Sequence, residues 1–579
     1  MTTSASRGSI PATQDAIQFV GAGRLVHNRT KPVPVPGPHQ ILARIEACGI
    51  CFSDTKLLHQ FSAHPRKSEV RSGLAAEILA EIPSYVPGEL PTVPGHEAVC
   101  RIVAIGGEVT RHSVGERCLV QTDYRHLPTA LANAAFGYDF EGGLEEYVLM
   151  DERVIIDPES GERFLIPVSE APSSSALALV EPWACVEASY LHAERRALLS
   201  GGHLLVVADP GHAILGLDAL VEESRPAEVT ALLATGAGRS AQQAAVEALA
   251  APATTITWAA SLEDVPREEF DDIIYFGADA GRIEVLQDCL APRGLVNVAT
   301  GGRLIGRPVA VDVGRVHYDL TRWVGTRSGS AADAYATVPD DGELRPGDRL
   351  AVIGAAGPMG LMHVARAASA GLPGLSIVAV DIDDPRLEHL RRTVAPIALS
   401  RGVDLTIVNS RTQELAPGFD YVALMVPAPS LVGQAVDLAG DGCRINVFAG
   451  FANRTRADID LDRYIARRAY LVGTSGSLIR DMKVVLGKLE RGELDTNISL
   501  DAVSGFEGVH EALEAVEART SAGKIVVYPS LPDMGLLRLS ELPARYPGVA
   551  AGLADGTWTK AAEDALLAGA RTDTATAGG

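Results

Sequence analysis

The sequence predicts an α/β protein in which a β-rich N-terminal domain precedes two tandem domains built on doubly wound parallel sheets. Three observations lead to this prediction. Short apolar runs punctuated by Gly and Pro fill residues 20–150, a pattern typical of strands joined by turns. From about residue 200, strand-like and helix-like segments alternate, which indicates parallel sheets. This second region also repeats itself at a nearly constant offset.

Composition limits the classes of function. At 579 residues the chain is long enough for roughly three to five domains. A hydrophobic content of 47% excludes a disordered chain, and a net charge of −22 argues against a nucleic-acid partner. The seven cysteines follow no regular framework, so reduced thiols fit better than disulfides.

The sequence also favours a cytoplasmic location. The polar segment Met1–Gln18 contains no apolar run of the kind found in a secretion signal. The most apolar stretch, Leu350–Met362, contains three glycines and a proline and is too short to cross a bilayer. We therefore expect a soluble cytoplasmic protein with no membrane partner.

Four pairs of landmarks define the internal repeat. Gly357 lies 146 residues after Gly211, and Ser477 lies 147 residues after Ser330. A constant offset predicts two domains of one fold, at residues 201–340 and 341–477. The paired segments are Leu204–Gly211 with Leu350–Gly357, Phe270–Tyr275 with Phe419–Leu424, Gly294–Val298 with Gly442–Val447, and Trp323–Ser330 with Leu471–Ser477.

The second copy has the pattern of a nucleotide site. A strand runs into a loop with three glycines and then into a helix, so the backbone can approach a pyrophosphate at the helix N-terminus. Asp381 ends the next strand, where a carboxylate accepts a hydrogen bond from a ribose 2′-OH and favours NAD over NADP. A nucleotide-free domain with a tight glycine turn is the alternative. The predicted cofactor-binding residues here are Gly354, Gly357, Pro358, Met359, Gly360, Asp381 and Arg386.

The first copy has lost this pattern. Ala208 and Ile214 stand where the second copy has Gly354 and Gly360, and no acid follows the strand that ends near Thr235. We expect a degenerate copy that braces the fold or forms an oligomer interface. A different ligand is the open alternative.

Three separate loops carry potential metal ligands. They contain Cys51, the pair His96 and Glu97, and Glu181. One thiolate, one imidazole and carboxylates suit a zinc ion with one open coordination position, as in catalytic sites. Taken singly, each residue is better explained as a packed thiol, a hydrogen-bonded histidine or a solvated carboxylate.

These loops resemble a known family. The segments Cys48–Asp54, Gly95–Glu97 and Glu181–Pro182, followed by a nucleotide domain, are similar to the zinc-dependent medium-chain dehydrogenase/reductase family. Within it they look closest to the sorbitol, threonine and glucose dehydrogenase branch. Val114–Arg117 and Gly142–Tyr147 also match the family's order.

The resemblance, which covers residues 20–200 and about 341–530, and the internal repeat together predict a domain organisation. Residues 1–200 form a GroES-like catalytic zinc domain completed by residues 478–535. Residues 201–340 form a degenerate Rossmann-like domain, and residues 341–477 an NAD-binding Rossmann domain. Residues 536–579 form a C-terminal helical extension, with a tail from Thr572 that we expect to be frayed.

The resemblance also implies roles around one catalytic zinc. Cys51 and His96 are ligands, and either Glu97 or Glu181 is the third. Asp54 orients the His96 ring.

Two further roles concern the cofactor and the proton. Ser53 passes a proton outward, and the relay ends at Lys56, at another group or at water. The nicotinamide is expected near Phe448 and Thr474.

The four closely spaced cysteines of the family's structural zinc site are missing around Tyr124–Asn133, so we predict a single zinc.

The predicted function is therefore hydride transfer between NAD(H) and a secondary alcohol or ketone of a polyol, sugar or cyclitol. We expect a homodimer or homotetramer. Basic residues within 56–90 could bind a phosphorylated or carboxylated substrate, although a solvated charged face is the simpler interpretation. Two alternatives remain: a redox-neutral epimerase or lyase with tightly bound NAD, and a non-catalytic NAD sensor or assembly protein.

Overall fold

The structure is a computed structural model that describes residues 10–236, 238–250, 254–554 and 556–577. The chain divides into two compact units, Met1–Ala184 with Ser477–Gly579, and Cys185–Gly476. The predicted α/β class is confirmed, with a β-rich first unit and parallel sheets in the second.

The elements up to the start of the second unit are mostly strands. The strands are β1 Thr13–Gly21, β2 Arg24–Pro32, β3 Gln40–Ile50, β4 Glu97–Ile105, β5 Arg117–Val120, β6 Asp123–Pro128, β7 Asn133–Ala135, β8 Tyr147–Asp151 and β9 Leu165–Pro167. The helices are α1 Phe52–Gln60, α2 Ala76–Ala80, α3 Ser174–Ala178 and α4 Val180–Leu191.

The next elements alternate between strand and helix. The strands are β10 His203–Ala208, β11 Glu228–Leu233, β12 Thr255–Trp258, β13 Phe270–Phe276, β14 Leu290–Ala299, β15 Val309–Asp312, β16 Arg322–Thr326, β17 Arg349–Ile353, β18 Ser376–Asp381, β19 Asp404–Asn409, β20 Phe419–Leu424, β21 Ala439–Val447, β22 Arg456–Ile459 and β23 Tyr470–Val472. The helices are α5 Leu217–Glu223, α6 Arg239–Glu247, α7 Ala280–Leu286, α8 Val313–Tyr318, α9 Ala331–Tyr335, α10 Pro358–Ala370, α11 Asp384–Arg401, α12 Pro429–Leu438 and α13 Leu461–Ala466.

The last part of the chain returns to the first unit. Its strands are β24 Leu500–Ser504, β25 Lys524–Val527 and β26 Leu537–Arg538. Its helices are α14 Ile479–Glu490, α15 Val509–Glu517, α16 Leu542–Arg545, α17 Pro547–Ala550 and α18 Lys560–Ala577. Short 3₁₀ helices cover Phe61–Ala63, Pro65–Lys67, Leu262–Asp264, Gln287–Cys289, Thr496–Ser499 and Phe506–Gly508.

The first unit is organised around β3. Its eight-stranded sheet runs β26-β24-β25-β3-β4-β5-β9, and β8 pairs with β3 off this path. β3 is antiparallel to both β4 and β25, so chain segments more than 400 residues apart meet at its C-terminal end. Nine of its eleven residues are buried, which its nearly continuous apolar sequence explains.

The buried carboxylate of Glu563 binds the C-terminal segment to the rest of this unit through hydrogen bonds. Glu563 of α18 accepts hydrogen bonds from the backbone N–H groups of Ser174 and Ser175, at 2.6 and 2.8 Å. These donors lie at the start of α3, where a helix leaves its first N–H groups without an internal partner. Tyr528 donates its hydroxyl to the same carboxylate at 2.8 Å.

The second unit contains two copies of one sheet. The strand orders are β12-β11-β10-β13-β14-β16 and β19-β18-β17-β20-β21-β23, and every neighbouring pair is parallel. Counted within each copy, both orders are 3-2-1-4-5-6, the doubly wound arrangement. The sheets occupy the two segments in which the sequence repeat lies.

The two copies pack against each other at matching edges. β15 of the first pairs antiparallel with β22 of the second. The hydroxyl of Tyr464 donates to the carbonyl of Trp323 at 2.7 Å. A Cβ on Gly325 would lie 2.7 Å from a side-chain carbon of Ile465, so the backbone needs glycine for this approach. One apolar cluster contains residues of both copies, including Val296, Trp323, Ile445 and Leu471.

Two sequence expectations differ from the structure. The helical spacing of Gly73–Ile82 yields only the five-residue α2, because turns replace the helix on both sides. The tail predicted to fray is helical through Ala577, and Gly578 and Gly579 lie outside the described residues. Among the residues described, no helix combines the length and apolarity needed to cross a membrane.

Candidate metal and nucleotide sites

Three predicted ligands converge at the end of β3. Cys51 directly follows this strand and caps α1, while His96 and Glu97 stand at the start of the adjacent β4. One ligand atom from each of the three side chains lies within 4.8 Å of the other two. A thiol, an imidazole and a carboxylate are thus gathered by one strand pair.

Two glycines make this convergence possible. A Cβ on Gly49 would lie 2.1 Å from Oε2 of Glu97, so only glycine leaves room for that carboxylate. Gly95 has a φ of +94°, and a Cβ there would lie 2.7 Å from Sγ of Cys48. Cys48 is completely buried beneath the turn, and burial raises the pKa of its thiol well above the usual value. It therefore packs as a core thiol.

Asp54 connects the ligand-bearing segments. Its Oδ2 accepts from the backbone N–H of Cys51 at 2.8 Å, and its Oδ1 accepts from that of Gly95 at 3.3 Å. Oδ1 also lies 3.2 Å from Nδ1 of His96. The carboxylate is completely buried, so these contacts are shielded from water.

Ser53 contacts two of the three ligands. Its hydroxyl donates to Sγ of Cys51 at 3.0 Å and lies 3.2 Å from Nε2 of His96. The side chain is part-buried, in contrast to the full burial of Asp54. Ser53 therefore stands where a proton could pass between the ligand cluster and the surroundings.

Glu97 forms an ion pair with Lys524, which lies more than 400 residues later in the chain. Lys524 on β25 donates to Oε1 of Glu97 and to the carbonyl of Ile50. Burial acts to lower the pKa of Lys524, but the negative charges of Glu97, Cys51 and Glu181 together outweigh this effect, so its pKa is raised. Oε2 of Glu97 is buried and has no hydrogen-bond partner among the described residues. A buried carboxylate oxygen without a donor fits a metal ligand, and the donor set fits zinc.

Glu181 lies near this cluster but outside its compact core. It stands in the first turn of α4 and is 8% exposed. Burial raises its pKa to about 7, while the charge of His96 opposes the shift and that of Glu97 adds to it. The structure thus brings Cys51, His96 and Glu97 into one set and places Glu181 beside it.

One wall of the site was not anticipated from the sequence. The rings of Tyr138 and His96 have centroids 5.5 Å apart, and Tyr138 is 3% exposed. Arg66 lies over the same tyrosine ring, 5.5 Å from its centroid, and forms an ion pair with Asp123. Tyr138 follows a glycine in an irregular loop, so no periodic signal marked it.

The nucleotide loop of the second copy depends on its glycines to different extents. A Cβ on Gly360 would lie 2.2 Å from the carbonyl oxygen of Gly354, which has a φ of +82°. At Gly357 the φ is −80° and the nearest atom to a Cβ would be 3.8 Å away. Gly357 therefore leaves open space in front of α10. Nothing inside the protein requires that space, whereas an approaching phosphate would.

The other predicted cofactor residues lie around the same sheet. Asp381 ends β18, and its Oδ2 accepts from the N–H of Ala356 at 3.0 Å. Pro358 and Met359 begin α10, and the N–H of Arg386 donates to Asp383 in the first turn of α11. Phe448 follows β21. Oγ1 of Thr474, after β23, is buried without a hydrogen-bond partner in the described part of the chain.

Comparison with known proteins identifies a domain within the first unit. Residues 37–159 match the family model described as the alcohol dehydrogenase GroES-like domain. The chain is 30% identical over 183 residues to the uncharacterized protein YggP of Escherichia coli, covering 29% of this chain and 43% of that protein. It is 27% identical over 245 residues to a mannitol-1-phosphate 5-dehydrogenase of Aliivibrio fischeri, covering 39% and 57%.

A third relative is an L-sorbose 1-phosphate reductase of Klebsiella pneumoniae, 29% identical over 241 residues, with 39% of this chain and 56% of that protein covered. These matches support a similarity to the medium-chain dehydrogenase/reductase family. This confirms the resemblance inferred from the metal loops. The matches span about half the length of these relatives.

Lys56, one of the predicted ends of the proton relay, lies on α1. Lys56 is exposed, and its ammonium lies 5.6 Å from the centroid of the Phe52 ring. Its neighbour on the exposed face, His59, pairs instead with Glu517 at 2.8 Å. The structure therefore leaves Ser53 without a contact to Lys56.

The basic segment does not form a single charged face either. Lys67 is fully buried and donates to the carbonyls of Val86 and Leu90, while Arg66 is held by Asp123. Burial and the charge of Arg66 lower the pKa of His64 to about 4, so this imidazole is neutral near pH 7. These groups support the loop around the site rather than offering free cations.

Proposed function

We propose that this protein is a zinc-dependent oxidoreductase that transfers a hydride between NAD(H) and a secondary alcohol or ketone of a polyol, sugar or cyclitol. The most direct support is that ligand atoms of Cys51, His96 and Glu97 lie within 4.8 Å of one another. The hydroxyl of Ser53 donates a hydrogen bond to Cys51 of this set. Three protein ligands leave a fourth zinc position for substrate.

The bound groups would supply the reactive chemistry: zinc lowers the pKa of the alcohol oxygen, and NAD accepts the hydride. Cys51, His96 and Glu97 hold the metal, and Asp54 fixes the orientation of the first two. Ser53 carries the proton, because its part-exposed hydroxyl can accept one from the substrate hydroxyl while releasing its own to solvent water. The burial of His96 and Glu97 keeps bulk water away from the reacting atoms.

The choice of NAD rests on Asp381. Its carboxylate ends the second strand of the copy, 21 residues after Gly360, the place where an acid binds a ribose 2′-OH. The same negative charge repels the 2′-phosphate of NADP. The open space in front of Gly357 supports a pyrophosphate at the start of α10.

The substrate class is supported by the names of two relatives. They are named for mannitol 1-phosphate and L-sorbose 1-phosphate, both polyol or sugar phosphates. We extend only the polyol or sugar class to this protein. A homodimer or homotetramer, expected from the sequence, stays a prediction.

The proposal is tested by following NADH absorbance over a panel of polyols, cyclitols, sugars and their phosphates. We expect at least one member to reduce NAD⁺, and elemental analysis to find one zinc per chain. Cys51→Ser should lose zinc and activity together. Cys48→Ala is the matched control, because Cys48 lies three residues away but outside the cluster, so it should retain both. Absence of zinc from active wild-type protein would overturn the proposal.

A further inference from the structure

The first α/β copy contains a cavity that the proposed reaction does not use. It has a volume of about 440 Å³ and opens at the carboxyl ends of β10, β14 and β16. In open α/β sheets this edge is where ligands bind, and the volume lies within the range of small-molecule sites. Its polar lining residues are His212, Arg303, Arg327 and Ser328.

The loop that would face a dinucleotide pyrophosphate differs between this copy and the second. Asp209, directly after β10, corresponds to Ala355 of the second copy. Its carboxylate accepts hydrogen bonds from the hydroxyl of Tyr275 and, at 2.7 Å, from Arg282. The next helix begins only at Leu217, eight residues after Asp209, so no helix N-terminus faces the loop. This copy therefore lacks the helix N-terminus that would hold a pyrophosphate, and the cavity suits a smaller ligand.

The buried imidazole of His212 points to a ligand in the remaining space. His212 is 7% exposed and lines the cavity, yet neither of its ring nitrogens has a hydrogen-bond partner among the described residues. Buried polar groups are normally paired with protein, water or ligand. Gln242 donates to the carbonyls of Asp209 and His212, at 2.9 and 2.7 Å, and so holds the loop in place.

The charges around His212 favour an anion. Arg303 and Arg327 both line the cavity, and neither guanidinium forms an ion pair or hydrogen bond in the part of the chain that the structure describes. Of the nearby acids, Asp209 is paired with Arg282, and Asp333 accepts a hydrogen bond from Ser328 of the cavity lining at 2.6 Å.

We propose that the first copy is a second binding site, for a small phosphorylated metabolite whose phosphate is bound by Arg303, Arg327 and His212. Planar guanidinium groups match phosphate oxygens in pairs, and the imidazole supplies a further donor. The glycines that line the cavity, Gly211, Gly301, Gly302 and Gly329, keep the approach free of side chains. The assignment does not depend on the reaction proposed for the metal site.

The test is calorimetric titration of the full-length protein with inorganic phosphate, in the presence of saturating NAD to occupy the second copy. We expect saturable binding of one phosphate. The double variant Arg303→Gln/Arg327→Gln should weaken it at least tenfold, and both side chains are exposed, so the fold should be retained. Arg267→Gln/Arg293→Gln is the matched control, since it removes the same charge from exposed positions elsewhere in the copy.

Three results would overturn the assignment. Wild-type protein could show no saturable phosphate binding, the control variant could weaken binding as much as the cavity variant, or malonate could bind more tightly than phosphate. A crystal soaked in tungstate, an anomalously scattering analogue of phosphate, gives an independent measurement. The expected peak lies between His212, Arg303 and Arg327, and a strong peak only at α10 would contradict the proposal.

Discussion

Nδ1 of His96 lies 3.2 Å from Oδ1 of Asp54, a carboxylate that also accepts backbone hydrogen bonds from Cys51 and Gly95. One buried side chain therefore positions both ligand-bearing segments and the ring of one ligand. Partners of this kind fix the tautomer and orientation of a metal-binding histidine and raise its basicity.

We expect Asp54→Asn to lower zinc affinity by roughly 10–100-fold, the usual effect of removing such a partner. The amide keeps the size of the side chain but loses the charge that supports His96. Affinity is measured by competition with a chromophoric chelator, and thermal melting verifies the fold. Asp151→Asn is the control, because Asp151 is equally buried but holds Arg153 instead. Equal affinities in both variants would contradict the role of Asp54.

The ion pair between Lys524 and Glu97 leads to a second prediction. Both side chains are buried, so Lys524→Met leaves an uncompensated carboxylate beside the metal ligands. Loss of one partner of a buried pair typically costs about 3–5 kcal/mol. We expect the free energy of unfolding of zinc-free Lys524→Met to fall by this amount. With zinc bound the fall should be smaller, because the cation neutralises Glu97.

The measurement is urea unfolding of wild type and Lys524→Met, each with zinc and with a chelator. The double variant Lys524→Met/Glu97→Gln is the control, because it removes both charges and should recover much of the stability lost without zinc. If the single variant loses the same free energy with and without zinc, Glu97 is not a ligand.

The local part of the metal site could be predicted from the sequence, whereas its distant part could not. Cys51, Ser53 and Asp54 span the first turn of one helix, so their mutual contacts follow from local geometry. Lys524 reaches Glu97 only because β25 pairs with β3 across more than 400 residues. No local sequence pattern predicts which residues of two such distant strands pair with each other. The choice between Glu97 and Glu181 likewise depended on tertiary structure.

The same distinction holds for the fold. The repeat landmarks fall on buried strands, whose apolar runs are dictated by burial on both faces, so two similar sheets could be predicted. The segment Gly73–Ile82 has helical spacing, but packing of the adjoining turns limits it to Ala76–Ala80. The ion pair between Asp209 and Arg282 in the first copy could not be predicted from local sequence spacing. The two residues lie 73 positions apart in the chain.

A third prediction concerns the space in front of α10. Gly357→Ala introduces a methyl group whose nearest protein atom lies 3.8 Å away, at a φ of −80° that any residue adopts. We expect thermal stability and zinc content to be unchanged. NAD affinity should fall at least tenfold, because the methyl group occupies the space where the pyrophosphate approaches the backbone.

The affinity is measured by fluorescence titration with NADH. Gly535→Ala is the control, since a Cβ there meets no atom within 4 Å and the position lies in the other unit. Unchanged NADH binding by Gly357→Ala would remove the support for a nucleotide at this loop.

A fourth prediction follows from a buried histidine of the second unit. Burial, together with the guanidinium of Arg366, lowers the pKa of His363 on α10 to about 3. Its Nδ1 is hydrogen-bonded to the hydroxyl of Tyr190 at 2.7 Å, and its ring lies against Phe448. In the unfolded chain the same imidazole titrates at about 6.5. Between these two values the unfolded state binds a proton that the folded state does not.

Protonation therefore favours unfolding as the pH falls below about 6.5, and the loss continues towards pH 3. At most, one such group lowers the free energy of unfolding by about 1.4 kcal/mol per pH unit. His363→Gln removes this group, so the variant should lose less stability than wild type between pH 6.5 and pH 4.5. The midpoint of urea unfolding, followed across this range, measures the difference. His510→Gln is the control, because that exposed side chain should leave the acid limb of wild type unchanged. Parallel curves for His363→Gln and wild type would show that His363 is not kept neutral by its surroundings.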